Sequence, residues 1–157
     1  MKKMLMTLSV TCAVGGLLCA GQVLAQQTGQ PQPPAPKAAS VTIISQPTLE
    51  GAHDDTAIIR WTTNNPGGAN DHFGVVQYGT SPGALTKTAK SHIRLNQGHS
   101  ETMFRVRIDG LQPQTTYYYT VTSMEANGTS DGITSDVNQF TTPAPGARIM
   151  NYPQPKG

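Results

Sequence analysis

Apolar and polar residues alternate with a period of two through most of residues 40–142. Phe104, Val106 and Ile108 fall on one side of an extended segment, and Arg105, Arg107 and Asp109 fall on the other. That pattern predicts a strand with one face buried and one solvated. Ala57, Ile59 and Trp61 alternate in the same way with Ile58 and Arg60 and include the single tryptophan. Tyr117, Tyr119 and Val121 alternate with Tyr118, Thr120 and Thr122. Phe73–Tyr78 reads as a further strand, with Val76 and Tyr78 sharing a face and Gly79-Thr-Ser-Pro-Gly83 turning the chain. Val41–Ile44, ended by Pro47, a short polar edge strand at Leu85–Ala89, and Val137–Thr141 anchored by Phe140 complete seven strands. Thr, Gly, Pro and Asn are too dense, and the apolar period too short, for a helix of ordinary length in this region. The pattern therefore predicts an all-β, seven-stranded immunoglobulin-like sandwich of roughly 100 residues.

Proline usage marks its limits. Eight of the twelve prolines lie outside residues 40–142. Residues 26–39 read as a semi-rigid Pro/Gln-rich linker, and residues 143–157 as a Pro-rich disordered tail. In the tail, Tyr152 raises the alternative of a peptide ligand for another domain. Residues 1–25 carry Lys2 and Lys3, an apolar run and Val23-Leu24-Ala25, the pattern of a cleaved export signal. Retention as an anchor, or lipid attachment at Cys19, are the alternatives. The expected destination is periplasmic or extracellular.

Charge then narrows the function classes. The formal net charge is +2, but removal of Lys2 and Lys3 leaves nine basic residues against nine acidic. That balance excludes the basic surface a nucleic-acid binder needs. Both cysteines, Cys12 and Cys19, lie in the leader, so no disulfide, thiolate metal site or cysteine nucleophile is expected in the mature protein.

At Leu111-Gln-Pro-Gln-Thr-Thr-Tyr117 the chain resembles the corner that precedes the sixth strand of fibronectin type III domains. Trp61 stands where that family places its second-strand tryptophan, and Asn127-Gly128 where its last loop turns. Val76–Gly83 together with Thr115–Ser123 is similar to the fibronectin-like domain ahead of purple acid phosphatase catalytic domains. The resemblance spans residues 40–142. It implies the sandwich, with Trp61, Leu111, Pro113, Tyr117, Tyr119 and Phe140 as structural core. It does not imply phosphatase chemistry, because the metal-binding residues of those enzymes belong to a separate domain. Gly98-His99 resembles a fragment of a metallophosphatase motif, but no Gly-Asp or Gly-Asn-His-Glu element accompanies it.

Candidate chemistry is sparse. His53-Asp54-Asp55 offers one nitrogen and two carboxylates in the first loop, where polar residues are common anyway. Asp71-His72 is a second short pair, and His92 and His99 stand seven apart in what reads as a linker. No Gly-x-Ser-x-Gly elbow, phosphate loop or dinucleotide fingerprint is present. No catalytic residue, metal or cofactor is therefore expected. The stronger signal lies in two polar loops, Thr62–Asp71 and Glu125–Ile133, which this topology brings to one end of the sandwich. They present Asn64, Asn65, Asn70, Asp71, His72, Asn127, Thr129, Ser130 and Asp131 as candidate binding residues. The expectation is a non-catalytic exported module for adhesion, binding or scaffolding, with a protein or glycan of the cell envelope as partner. Rival readings are a carbohydrate-binding module using Tyr118, an accessory domain of a separately encoded metallophosphatase, and an edge-strand donor through Leu85–Ala89.

Overall fold

The computed structural model describes residues 35–151. Residues 1–25, where the export signal is expected and where Cys12 and Cys19 lie, the first part of the expected linker, and Tyr152 are outside the described residues. Nine strands are present among those described: β1 (Ile43–His53), β2 (Thr56–Asn64), β3 (Asp71–Gly79), β4 (Lys87–Arg94), β5 (Glu101–Asp109), β6 (Thr116–Glu125), β7 (Ser130–Thr134), β8 (Asn138–Thr141) and β9 (Arg148–Met150). They form two antiparallel sheets, one ordered β5-β2-β1-β9 and the other β4-β3-β6-β7, with β8 also paired to β6. The class is the sandwich that the alternation predicts, with nine strands in place of seven.

The two added strands have simple origins. One lies in the expected loop Glu125–Ile133, whose end forms β7 and pairs with Thr122–Met124 of β6; the expected last strand, Val137–Thr141, is β8 and pairs with Thr116–Tyr119. In the gap the Ser135 hydroxyl accepts the Val121 N–H at 3.0 Å, so the break leaves no orphan donor. The other addition corrects the expected tail, because Arg148–Met150 pairs with Gly51–His53 of β1. Gly51 allows the approach; a Cβ there would stand 3.2 Å from the Ile149 carbonyl.

Two strands also have limits that differ from expectation. The first strand does not stop at Pro47 but continues to His53. The register slips between Ser45 and Thr48, and a bulge tolerates a residue with no N–H to donate. The edge strand runs Lys87–Arg94 rather than Leu85–Ala89, because its pairing with β3 runs from Tyr78 opposite Lys87 to Asp71 opposite Arg94. His92 therefore belongs to that strand and not to a linker.

The core lies between the sheets. Trp61 stacks on its cross-strand neighbour Phe104 with centroids 5.3 Å apart. Gly74 of the facing sheet leaves room for them: a Cβ there would lie 3.0–3.1 Å from Trp61, Val106 and Phe104. At the other end Tyr78, Tyr117, Tyr119 and Phe140 form an aromatic cluster with centroids 5.7–6.1 Å apart. Tyr117 Oη accepts the Gln112 N–H at 3.0 Å, which ties the turn before β6 to the strand. Trp61, Leu111, Tyr117, Tyr119 and Phe140 are all buried. Pro113 is exposed and is not a core residue, since the turn that holds it faces solvent.

Candidate functional site

The polar loops meet at one end of the sandwich, where the inward columns of the second sheet change from apolar to polar. Along β3 the inward positions are His72, Gly74, Val76 and Tyr78; along β6 they are Tyr117, Tyr119, Val121, Ser123 and Glu125. His72 lies directly opposite Glu125 in the ladder. β7 adds Asp131, so a histidine and two carboxylates cap the core where hydrophobic residues run out. Their ligand atoms lie within 4.8 Å of one another. His72 and Asp131 side chains are fully inaccessible, with Nε2 and Oδ1 3.5 Å apart. This corrects the expectation that both are displayed on loops: strand parity turns them inward.

Lys37, from the end of the linker, closes the cluster. Its Nζ donates to Glu125 at 2.9 Å and lies 3.8 Å from Asp131. The segment that carries it is tied down by Ala38 N–H to the Pro66 carbonyl, and by Gly68 N–H to the Ala35 carbonyl. Gly67-Gly68 makes this docking possible. Both glycines have positive φ, and a Cβ on Gly67 would sit 2.1 Å from the Pro36 carbonyl oxygen. The hydrogen bond with Lys37 holds the Glu125 carboxyl below its ordinary range, and the same bond raises the Lys37 ammonium. Burial works to raise Asp131. Its interactions with His72 and Ser123, together with the Lys37 charge, outweigh that and hold it low.

The remaining candidate residues divide into tethers and exposed groups. Asn64 accepts from Thr42 N–H and donates to the Ser40 carbonyl; Asn65 donates to the carbonyls of Asn96 and His99 at 2.9 and 2.8 Å. Asn70 accepts from Gln97 at 2.9 Å. Asn64 joins the end of β2 to residues 40–42, and Asn65 and Asn70 join the β2–β3 loop to the β4–β5 loop. Ala126 N–H reaches the Asp71 carbonyl, which joins the β6–β7 turn to the same body. Asn127 accepts from Thr129 N–H, and the Ser130 hydroxyl accepts from Gly132 N–H. Asp71, Asn127, Thr129 and Ser130 remain exposed, with His92 3.1 Å from Asp71. Sequence reasoning missed Lys37, Ser123, Glu125 and Gln97. The parity that continues Val121 to Ser123 and Glu125 was the available signal for two of them.

The other candidates do not converge. Asp54 accepts from Gly146 N–H and Asp55 from the Thr56 hydroxyl, which makes them turn and tail anchors. A groove on the outer face of the first sheet is lined by Glu50, Ile58, Arg105, Arg107 and Met150. Its guanidinium groups already pair with Glu50 and Asp109.

Two facing sheets with this strand order, the buried second-strand tryptophan and the tyrosine closing onto the turn before β6 define a fibronectin type III-like module. A family model agrees: residues 44–142 match the purple acid phosphatase N-terminal domain, and the chain belongs to that family. Among solved structures it is similar to the sensor domain of the anti-sigma factor RsgI4 of Pseudobacteroides cellulosolvens. One structure of that domain is 21% identical over 71% of this chain and 98% of the other, with a TM-score of 0.46. A solution structure of it is 19% identical over 67% and 75% of the two chains, with a TM-score of 0.44. Comparison with curated proteins finds no match.

Proposed function

We propose that this chain is an exported, non-catalytic binding module that recognises a protein of the cell envelope through the loop end of its sandwich. The observation that carries this reading is the cross-linking of four segments at that end. The linker, the β2–β3 loop, the β4–β5 loop and the β6–β7 turn share the hydrogen bonds of Ala38, Asn65, Gln97 and Ala126. Loops already held in one arrangement lose little entropy when a partner docks, and that is where a rigid scaffold gains affinity. Asp71, His92, Asn127 and Thr129 form the exposed rim. Export rests on the leader pattern of residues 1–25. Among the described residues no helix is long and apolar enough to cross a membrane.

A glycan-binding reading rests on a different patch. Tyr118, half-buried, lies beside Pro82, Val137, Asn138 and Gln139 in a shallow groove, an aromatic face next to two amides. Cross-linking in the native host, followed by capture and mass spectrometry, separates the readings. A partner lost from the Asp71→Ala/Asn127→Ala/Thr129→Ala variant and kept by Tyr118→Ala supports the loop end. Retention on insoluble glycan that depends on Tyr118 alone supports the other.

A further inference from the structure

We propose that His72, Glu125 and Asp131 form a divalent-cation site of the zinc class beneath the loop end, with Lys37 as the side chain that a metal ion displaces. The donor set is one imidazole nitrogen and two carboxylates, which suits zinc with a water in the fourth position and is poorly suited to the all-oxygen shell of calcium. Zinc bonds of about 2.0 Å at tetrahedral angles need donor atoms ~3.3 Å apart. The three donors now lie within 4.8 Å, so the widest pair has to close by at most ~1.5 Å.

Burial is the independent observation. His72 and Asp131 are completely inaccessible, yet His72 Nδ1 has no partner, and His72 Nε2 and Asp131 Oδ1 face only each other at 3.5 Å, too long and poorly aligned for a good hydrogen bond. Buried polar atoms in folded proteins are normally satisfied, and a lone pair left open in a cluster of donors is what a cation completes. Asp131 Oδ2 accepts the Ser123 hydroxyl at 2.7 Å, which fixes the carboxylate with Oδ1 toward the cluster, as an outer-shell partner does for a metal ligand.

Charge points the same way. Lys37 Nζ stands 2.9 Å from Glu125 and 3.8 Å from Asp131, so one positive charge serves two negative ones. With the imidazole neutral, as a ligand must be, a divalent ion in place of the ammonium balances both carboxylates. Access exists because Lys37 is 39% exposed and covers the cluster from outside. Metal entry therefore releases the Lys37 anchor of the segment docked on Gly67-Gly68, which couples ion binding to the position of the linker.

The test is calorimetric titration of zinc into the purified protein, with long-range imidazole NMR to identify the ring involved. Two variants accompany it: Lys37→Met, which removes the competing cation, and Glu125→Gln, a substitution of similar volume at a partly exposed ligand. Melts confirm that both fold. The expected result is one zinc per chain, at least tenfold tighter binding in Lys37→Met, at least tenfold weaker binding in Glu125→Gln, and shifted ring signals from His72. The proposal is overturned if neither wild type nor Lys37→Met binds zinc, if Glu125→Gln binds as wild type does, or if the shifts belong to His53, His92 or His99.

Discussion

Gly74→Ala tests the packing of the core more sharply than a truncation does, because intrinsic preference and structure give opposite signs. Replacing a strand glycine with alanine ordinarily stabilises a protein by about 0.5–1 kcal/mol, since the unfolded chain loses freedom. Here the new methyl group meets Trp61, Val106 and Phe104 at 3.0–3.1 Å, against about 3.5–4.0 Å for carbon atoms at ease. None of the three can yield outward. All are buried, and the Trp61 and Phe104 rings hold one another by stacking. Overpacking of a tight core costs about 1–3 kcal/mol. At mid-range, about 2 kcal/mol against ~0.75, the cost exceeds the gain and leaves a net loss of about 1 kcal/mol, or ~4–8 °C in Tm for a domain of this size. Gly83→Ala is the control, because a Cβ there meets nothing within 4 Å. Thermal and urea melts of both variants give the answer. A Gly74→Ala protein as stable as wild type, or more so, refutes the packing between the sheets.

Trp61→Ala removes the largest fully buried side chain and is expected to cost about 3–5 kcal/mol in urea unfolding. Gly67→Ala places a methyl group against the Pro36 carbonyl, so limited proteolysis should cut residues 35–40 faster while the melt of the sandwich changes little. Two pH effects follow from the titrating groups. Burial pushes the Tyr119 hydroxyl up to about 12, so the unfolded chain ionises first; stability falls as pH rises from about 10 toward 12, and Tyr119→Phe flattens that limb. Asp131 is held low, so its contribution is present above the ordinary carboxylate range near pH 4 and is lost as pH falls below it. Melts of Asp131→Asn across pH 2–6 should show a shallower acid limb than wild type.

Where burial follows strand parity within one segment, the sequence was readable. Phe104-x-Val106-x-Ile108, the Trp61 column and the closure of Tyr117 on the turn before β6 needed no long-range information. Features set by distant partners were not readable. His72 follows Asn70-Asp71 and looks like loop chemistry, until its parity with Gly74, Val76 and Tyr78 is followed and the ladder sets it opposite Glu125. Lys37 sits among prolines and owes its place to the space left by Gly67-Gly68. The strand at Arg148–Met150 exists because β1 continues past Pro47 and offers a free edge, and neither segment shows it alone. At the loop end, Asn64, Asn65 and Asn70 have the composition of a recognition loop. Their hydrogen bonds instead make them its framework, and the proposed recognition therefore falls to Asp71, His92, Asn127 and Thr129.

The central claim is that the rigid loop end is a binding surface, and capture from the native host tests it most directly. Wild type and the Asp71→Ala/Asn127→Ala/Thr129→Ala variant, matched in Tm, are cross-linked and their partners identified. The account predicts at least one envelope protein enriched by wild type and lost from the variant. Identical capture by the two proteins contradicts it.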